Sequence, residues 1–139
     1  MNTIDRHDDE VGAQLSAQAT AMKARRILAI GNGSPHASMW LARALPADGL
    51  LIVLGLESAL AEEARGNFER NGLSDRATVI AGDPARMLYK ISGPFDVIFQ
   101  ATGPNENPPV RDTLVNLLRP GGRLISLEKN GSLTTYDRT

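Results

Sequence analysis

Ile27-Leu28-Ala29-Ile30-Gly31-Asn32-Gly33-Ser34-Pro35-His36 carries the reading of the whole chain. Four apolar residues run into Gly-x-Gly, and a segment of helical period follows, the pattern of a buried strand that turns tightly into a helix. Glycines at 31 and 33 leave the backbone open to close approach. In open α/β sheets the carboxyl end of the first strand, beside the switch in strand order, is where nucleotide ligands bind. A tight turn with no ligand uses the same residues, so the motif alone leaves both readings open. The dinucleotide fingerprint G-x-G-x-x-G asks for a third small residue where this chain has His36, which argues against NAD.

Outward from this run, short apolar stretches alternate with longer segments of helical period, which predicts a parallel sheet covered by helices on both faces. The strand candidates are Arg26 to Ile30, Leu50 to Leu54, Thr78 to Ala81, Phe95 to Phe99 and Arg123 to Leu127. Each is too continuously apolar for a half-exposed hairpin strand. Helices are expected at Val11 to Lys23, Ala37 to Ala44, Ala59 to Arg70, Pro84 to Lys90 and Pro109 to Leu118. Ser58 and Asp83 suit N-caps, because a side-chain oxygen there accepts an amide proton of the first turn, and Asn71-Gly72 offers a left-handed stop. Pro84 and Pro109 suit first-turn positions. Leu118-Arg119-Pro120-Gly121-Gly122 ends the last helix and turns the chain into the fifth strand. The polar ends read as a mobile segment over 1–10 and a mobile tail over 129–139, on either side of a domain spanning 11–128.

The chain has 139 residues, the size of one domain. Its 15 Lys and Arg oppose 16 Asp and Glu, a balance that offers no field or basic stripe to nucleic acid. Cysteine is absent, which removes disulfides, thiolate nucleophiles and Cys-based metal sites and agrees with a cytoplasmic location. The start, MNTIDRHDDE, is polar and acidic where a signal peptide is basic and then apolar. No apolar run approaches the ~20 residues of a membrane-spanning helix, so no membrane partner is expected.

From about Val11 to Glu128 the ordered segments resemble class I S-adenosylmethionine-dependent methyltransferases, and within them the small O-methyltransferases of the catechol and caffeoyl-coenzyme A type. ILAIGNGSPHASMWLARALPADG is similar to the first motif and its helix, LLIVLGLESALAEEARGNFERNGLSDRATVIAGDPARML to the second and third strands, and FDVIFQATG with LLRPGGRLIS to the fourth and fifth. The resemblance implies a Rossmann-like sheet in the order 3-2-1-4-5, with S-adenosylmethionine over the carboxyl ends of strands one, two and four. It puts Gly31, Asn32, Gly33 and Ser34 under the cofactor's amino acid and ribose, and Asp83 where a carboxylate accepts from the adenine amino group. An ordinary N-cap is the alternative for Asp83. Trp40 falls on the helix after the loop, where its expected work is core packing.

Departures from the family pattern fall on the chemistry. Ala29 stands where the family has a Glu that helps to hold the methionine end, and Gly55 where an acid grips both ribose hydroxyls. Glu57, two residues on, is a cofactor-binding candidate that needs a rearranged loop; a solvated charge near a helix start is the alternative. The carboxylates that hold a divalent cation in catechol-methylating members align with Gln100-Ala101-Thr102-Gly103-Pro104 and Leu127-Glu128, so no metal is expected. His36 is a weak candidate general base. Asn105, Glu106 and Asn107 either line the same rim or form a helix-entry loop. Full members continue past strand five with two further strands, which here leaves strand five as an edge and points to a homodimer or a protein partner.

Three functions stay open on these residues. The first is a methyltransferase-like protein that takes S-adenosylmethionine and a small-molecule methyl acceptor without metal chemistry. A non-catalytic binding or scaffold protein on the same fold is the second. An NAD- or other nucleotide-binding domain is the third, disfavoured by His36 and Gly55.

Overall fold

The opening apolar run forms β1 (Arg26–Ile30), which pairs in parallel with β2 (Leu50–Leu56) on one side and β4 (Phe95–Gln100) on the other. This computed structural model describes residues 6–102 and 111–139. β3 (Ala77–Ala81) joins β2, β5 (Leu118–Leu127) joins β4, and β6 (Leu133–Asp137) closes the row antiparallel to β5. The order is β3-β2-β1-β4-β5-β6, so the sequence expectation of 3-2-1-4-5 holds with one strand added. The order reverses between β1 and β4, which sets the switch point beside the glycine loop.

Side chains of each central strand alternate between two cores, which is why the strands read as unbroken apolar runs. Ile27, Ala29, Val53 and Phe99 pack with Leu15 of α1 (Arg6–Ala21), Leu41 of α2 (Pro35–Ala44) and Phe68 of α3 (Ser58–Arg70). On the other face, Leu28, Ile30, Leu54 and Ile98 pack with Leu88, which follows α4 (Pro84–Met87), and with Leu114 of α5 (Arg111–Asn116).

Asp96 ties the amino ends of the strands together. Its Oδ2 accepts the backbone amides of Arg25 at 2.7 Å and Arg26 at 3.0 Å, and its Oδ1 accepts from Arg119 Nε. Burial, the largest single influence, pushes this carboxyl up. The two amides and the guanidinium outweigh it and hold Asp96 below the ordinary carboxylate value.

Several sequence expectations are corrected. The tail read as mobile contributes β6, and residues 6–10 of the N-terminal segment are the opening turns of α1. Strand five is therefore not an edge; among the described residues β6 is the outer strand on that side and β3 on the other. The N-cap of α3 is Glu57, and Ser58 is the first helical residue. The segment after the last helix is a bulge within β5: Phe95 pairs with Leu118 and Val97 with Arg123, so Arg119 to Gly122 loop out, with Gly121 at φ +82°. The helix start expected at Pro109 falls outside the described residues.

Candidate functional site

β1 delivers the chain into the glycine loop at the carboxyl end of the sheet. Gly31 sits at φ +101°, where an L side chain is strained, and its amide donates to Leu54 O at 3.0 Å. A Cβ on Gly31 would overlap the carbonyl oxygen of Ala101, and one on Gly33 would lie 2.8 Å from it. The Gly33 amide donates to that same oxygen at 2.9 Å. The two glycines are thus required by the approach of the chain leaving β4, whatever else the loop meets. Ser34 is fully buried, and its Oγ has no hydrogen-bond partner among the described residues.

Beside the loop lies a cleft of about 280 Å³ that brings together Asn32, Glu57 and Asp83 with Gly55, Gly82 and Pro84. Asn32 Oδ1 accepts the Glu57 amide at 2.9 Å, which links the loop after β1 to the loop after β2. Asp83 caps α4: its Oδ1 accepts the Ala85 amide at 3.1 Å. The capping role anticipated for Asp83 is real, and the residue also lines the cleft. Of the six sequence-derived cofactor candidates, Asn32, Glu57 and Asp83 line this cleft, while Gly31, Gly33 and Ser34 shape the turn behind it.

His36 pairs with an acid of α1. Its Nε2 lies 3.0 Å from Asp9 Oδ1, a half-exposed pair that joins the first turn of α2 to α1. It does not line the cleft. Trp40 packs on α1, where a Cβ on Gly12 would overlap its indole.

A second, polar cleft runs along the carboxyl ends of β4 and β5. Two adjoining cavities of about 370 and 570 Å³ share Gln100, Ser126 and Glu128. Thr134 and Tyr136 of β6 line the smaller one, and the Arg111 guanidinium lies 4.2 Å from the centre of the Tyr136 ring. The sequence reading missed Thr134 and Tyr136, because no local signal in the polar tail announced a strand, and with them Arg111, whose guanidinium meets the Tyr136 ring of that strand. Pro104, Asn105, Glu106 and Asn107 lie outside the described residues. Among the described residues no three carboxylates or imidazoles come together as a metal site requires. Among the described residues Glu128 stands with Gln100 and Ser126, one carboxylate where a divalent cation asks for several oxygen ligands.

Comparison with known proteins agrees with this architecture. The family model for protein-L-isoaspartate(D-aspartate) O-methyltransferase matches residues 13–138. A catechol O-methyltransferase from Mycobacterium tuberculosis is 32% identical over 115 residues, covering 82% of this chain and 52% of that protein. A protein-L-isoaspartate O-methyltransferase from Hyperthermus butylicus is 33% identical over 121 residues, covering 81% of this chain and 48% of that protein. The chain spans about half the length of the curated relatives it matches. Among solved structures, an O-methyltransferase from Bacillus cereus in complex with SAH superposes with a TM-score of 0.75 at 28% identity, over 91% of this chain and 67% of that one. The O-methyltransferase TomG from Streptomyces achromogenes in complex with SAM gives 0.74 at 26% identity, over 89% and 66%. The sheet order, the glycine loop at the switch point and these matches make one finding: the chain belongs to the protein-L-isoaspartate(D-aspartate) O-methyltransferase family.

Proposed function

We propose that this domain binds S-adenosylmethionine in the cleft formed by the loops after β1, β2 and β3, and takes part in methyl transfer to a small-molecule acceptor. The observation that carries the reading is the convergence of Asn32, Glu57 and Asp83 on one cleft next to the glycine loop. Relatives with the same fold are known in complex with SAM and SAH. When bound, the sulfonium supplies an activated methyl group for in-line displacement by an acceptor nucleophile. The chain's own contribution is positioning, through a turn packed against Ala101 and a strut from Asn32 to Glu57. The acceptor fits the neighbouring polar cleft, where Gln100, Ser126 and Glu128 offer hydrogen bonds. Chemistry through a bound divalent cation is not part of the proposal, since the described residues of the cleft offer one carboxylate, Glu128.

The same reading puts the chain in the cytosol, which a cysteine-free sequence suits. No helix among the described residues is long and apolar enough to cross a membrane. A homodimer or protein partner would pair along the outer edge of β6, whose Thr134 to Asp137 are exposed. Light scattering that finds only monomer at high concentration would remove that part.

Calorimetric titration with S-adenosylmethionine and S-adenosylhomocysteine, with NAD as control, tests the central claim. Saturable micromolar binding of the first two and none of NAD is expected. Binding of NAD alone would transfer the cleft to the nucleotide-binding alternative, and binding of none would overturn the proposal.

A further inference from the structure

We infer that Arg111, held on the ring of Tyr136, anchors a carboxylate of the methyl acceptor, and that the methylated atom belongs to a second group of the same molecule; this rests on the donor and acceptor reading above. Arg111 and Glu128 are the charged side chains of the smaller polar cavity, and they form no ion pair with each other. Among the described residues the Arg111 guanidinium has no hydrogen-bond or carboxylate partner, only the Tyr136 ring, whose centre lies 4.2 Å away. A ring attracts the cation's charge but supplies no lone pair, so the N–H donors stay open to a ligand. The ring also restrains a long side chain before any ligand arrives, which lowers the ordering cost of binding.

Charge and position narrow the ligand. A guanidinium with open donors matches a planar two-oxygen group, which it holds bidentately. Glu128 in the same cavity balances Arg111, so one negative charge is accommodated there and a phosphate dianion is repelled. Gln100 precedes Ala101, whose carbonyl accepts the Gly33 amide at 2.9 Å, so that end of the cavity borders the glycine loop. Tyr136 stands two strands further out, on β6, a separation of roughly 10 Å at ordinary strand spacing. A carboxylate gripped by Arg111 is therefore a handle at the far end, with its lone pairs engaged. The nucleophile is a different group, set among Gln100, Ser126 and Glu128 beside the donor cleft.

Calorimetry on the whole chain, with and without S-adenosylhomocysteine, tests this with 4-hydroxyphenylacetate, its neutral amide 4-hydroxyphenylacetamide, and phenyl phosphate. The wild type is expected to prefer the acid to the amide by about tenfold, the value of hydrogen bonds to a charged group, and the preference should shrink as salt is raised. Arg111→Gln should abolish the preference while amide binding and the melting curve stay unchanged. Arg111→Lys, which keeps the charge without the fork, should retain part of it. Tyr136→Phe should keep the preference, since the ring remains, and Tyr136→Leu should reduce it. An Arg111→Gln variant that still prefers the acid overturns the inference, and tighter binding of phenyl phosphate than of the acid overturns the carboxylate assignment. A wild type that binds S-adenosylhomocysteine but does not distinguish acid from amide, or binds neither, overturns the anchor and leaves the donor reading standing. An Arg111-dependent preference for the acid without any binding of S-adenosylhomocysteine supports the anchor and overturns the donor reading. Failure to bind any of these compounds overturns both.

Discussion

Arg123 and Asp137 face each other across β5 and β6 and close a bidentate pair, Nε to Oδ1 at 2.6 Å and the second guanidinium nitrogen to Oδ2 at 3.0 Å. The third nitrogen reaches Gln18 of α1 at 3.0 Å, so one side chain binds the last strand to the first helix. One residue on, Arg138 donates to the carbonyls of Val115 and Asn116 at the end of α5. These side-chain contacts add to the backbone ladder between β5 and β6. Asp137→Ala should therefore speed amide exchange across Leu133–Asp137 with little change in global stability, because an exposed pair contributes at most about 1 kcal/mol. Unchanged exchange in β6 would refute this account.

Asp96 should make stability depend on acid. Its folded carboxyl lies below the ordinary value, so its contribution is complete above the unfolded value of about 4 and is lost as pH falls through the folded one. Asp96→Ala should cost about 2 kcal/mol in urea unfolding at neutral pH and flatten the acid limb of the stability curve. Equal slopes for variant and wild type below pH 4 would show that another carboxyl governs it.

Asp83 separates capping from binding. Asp83→Ala should cost about 1 kcal/mol of stability, and Asp83→Ser should recover it, since a serine hydroxyl accepts the same Ala85 amide. If the carboxylate also serves the ligand, the serine variant stays weak in S-adenosylhomocysteine binding. Wild-type affinity in the serine variant would leave the cap as its sole role.

Gly12 is small because Trp40 lies against it. Gly12→Ala gains up to about 1 kcal/mol of helix propensity. The overlap with the indole costs about 1 to 3 kcal/mol, so net destabilisation with altered tryptophan emission is expected. A stabilised variant with unchanged emission would mean that α1 docks elsewhere.

His36→Gln should leave S-adenosylhomocysteine affinity within about twofold of wild type and stability within about 0.5 kcal/mol, as expected for an exposed pair with Asp9. A large loss of methyl transfer with intact binding would restore the general-base reading.

The sequence by itself determined the five parallel strands, the switch point and the family. Strands buried on both faces must be continuously apolar, and a strand that turns at Gly31 and Gly33 into a helix has few other readings. It also pointed to Asn32, Glu57 and Asp83, which the fold gathers into one cleft. Tertiary structure decided the rest. β6 is polar and exposed, with no alternation to betray it; it pairs with β5, where Arg123 meets Asp137, and is tied to α5 through Arg138. Gly55 reads in the chain as a lost acid, yet only the fold shows Pro84, 29 positions away, standing where a Cβ on Gly55 would lie.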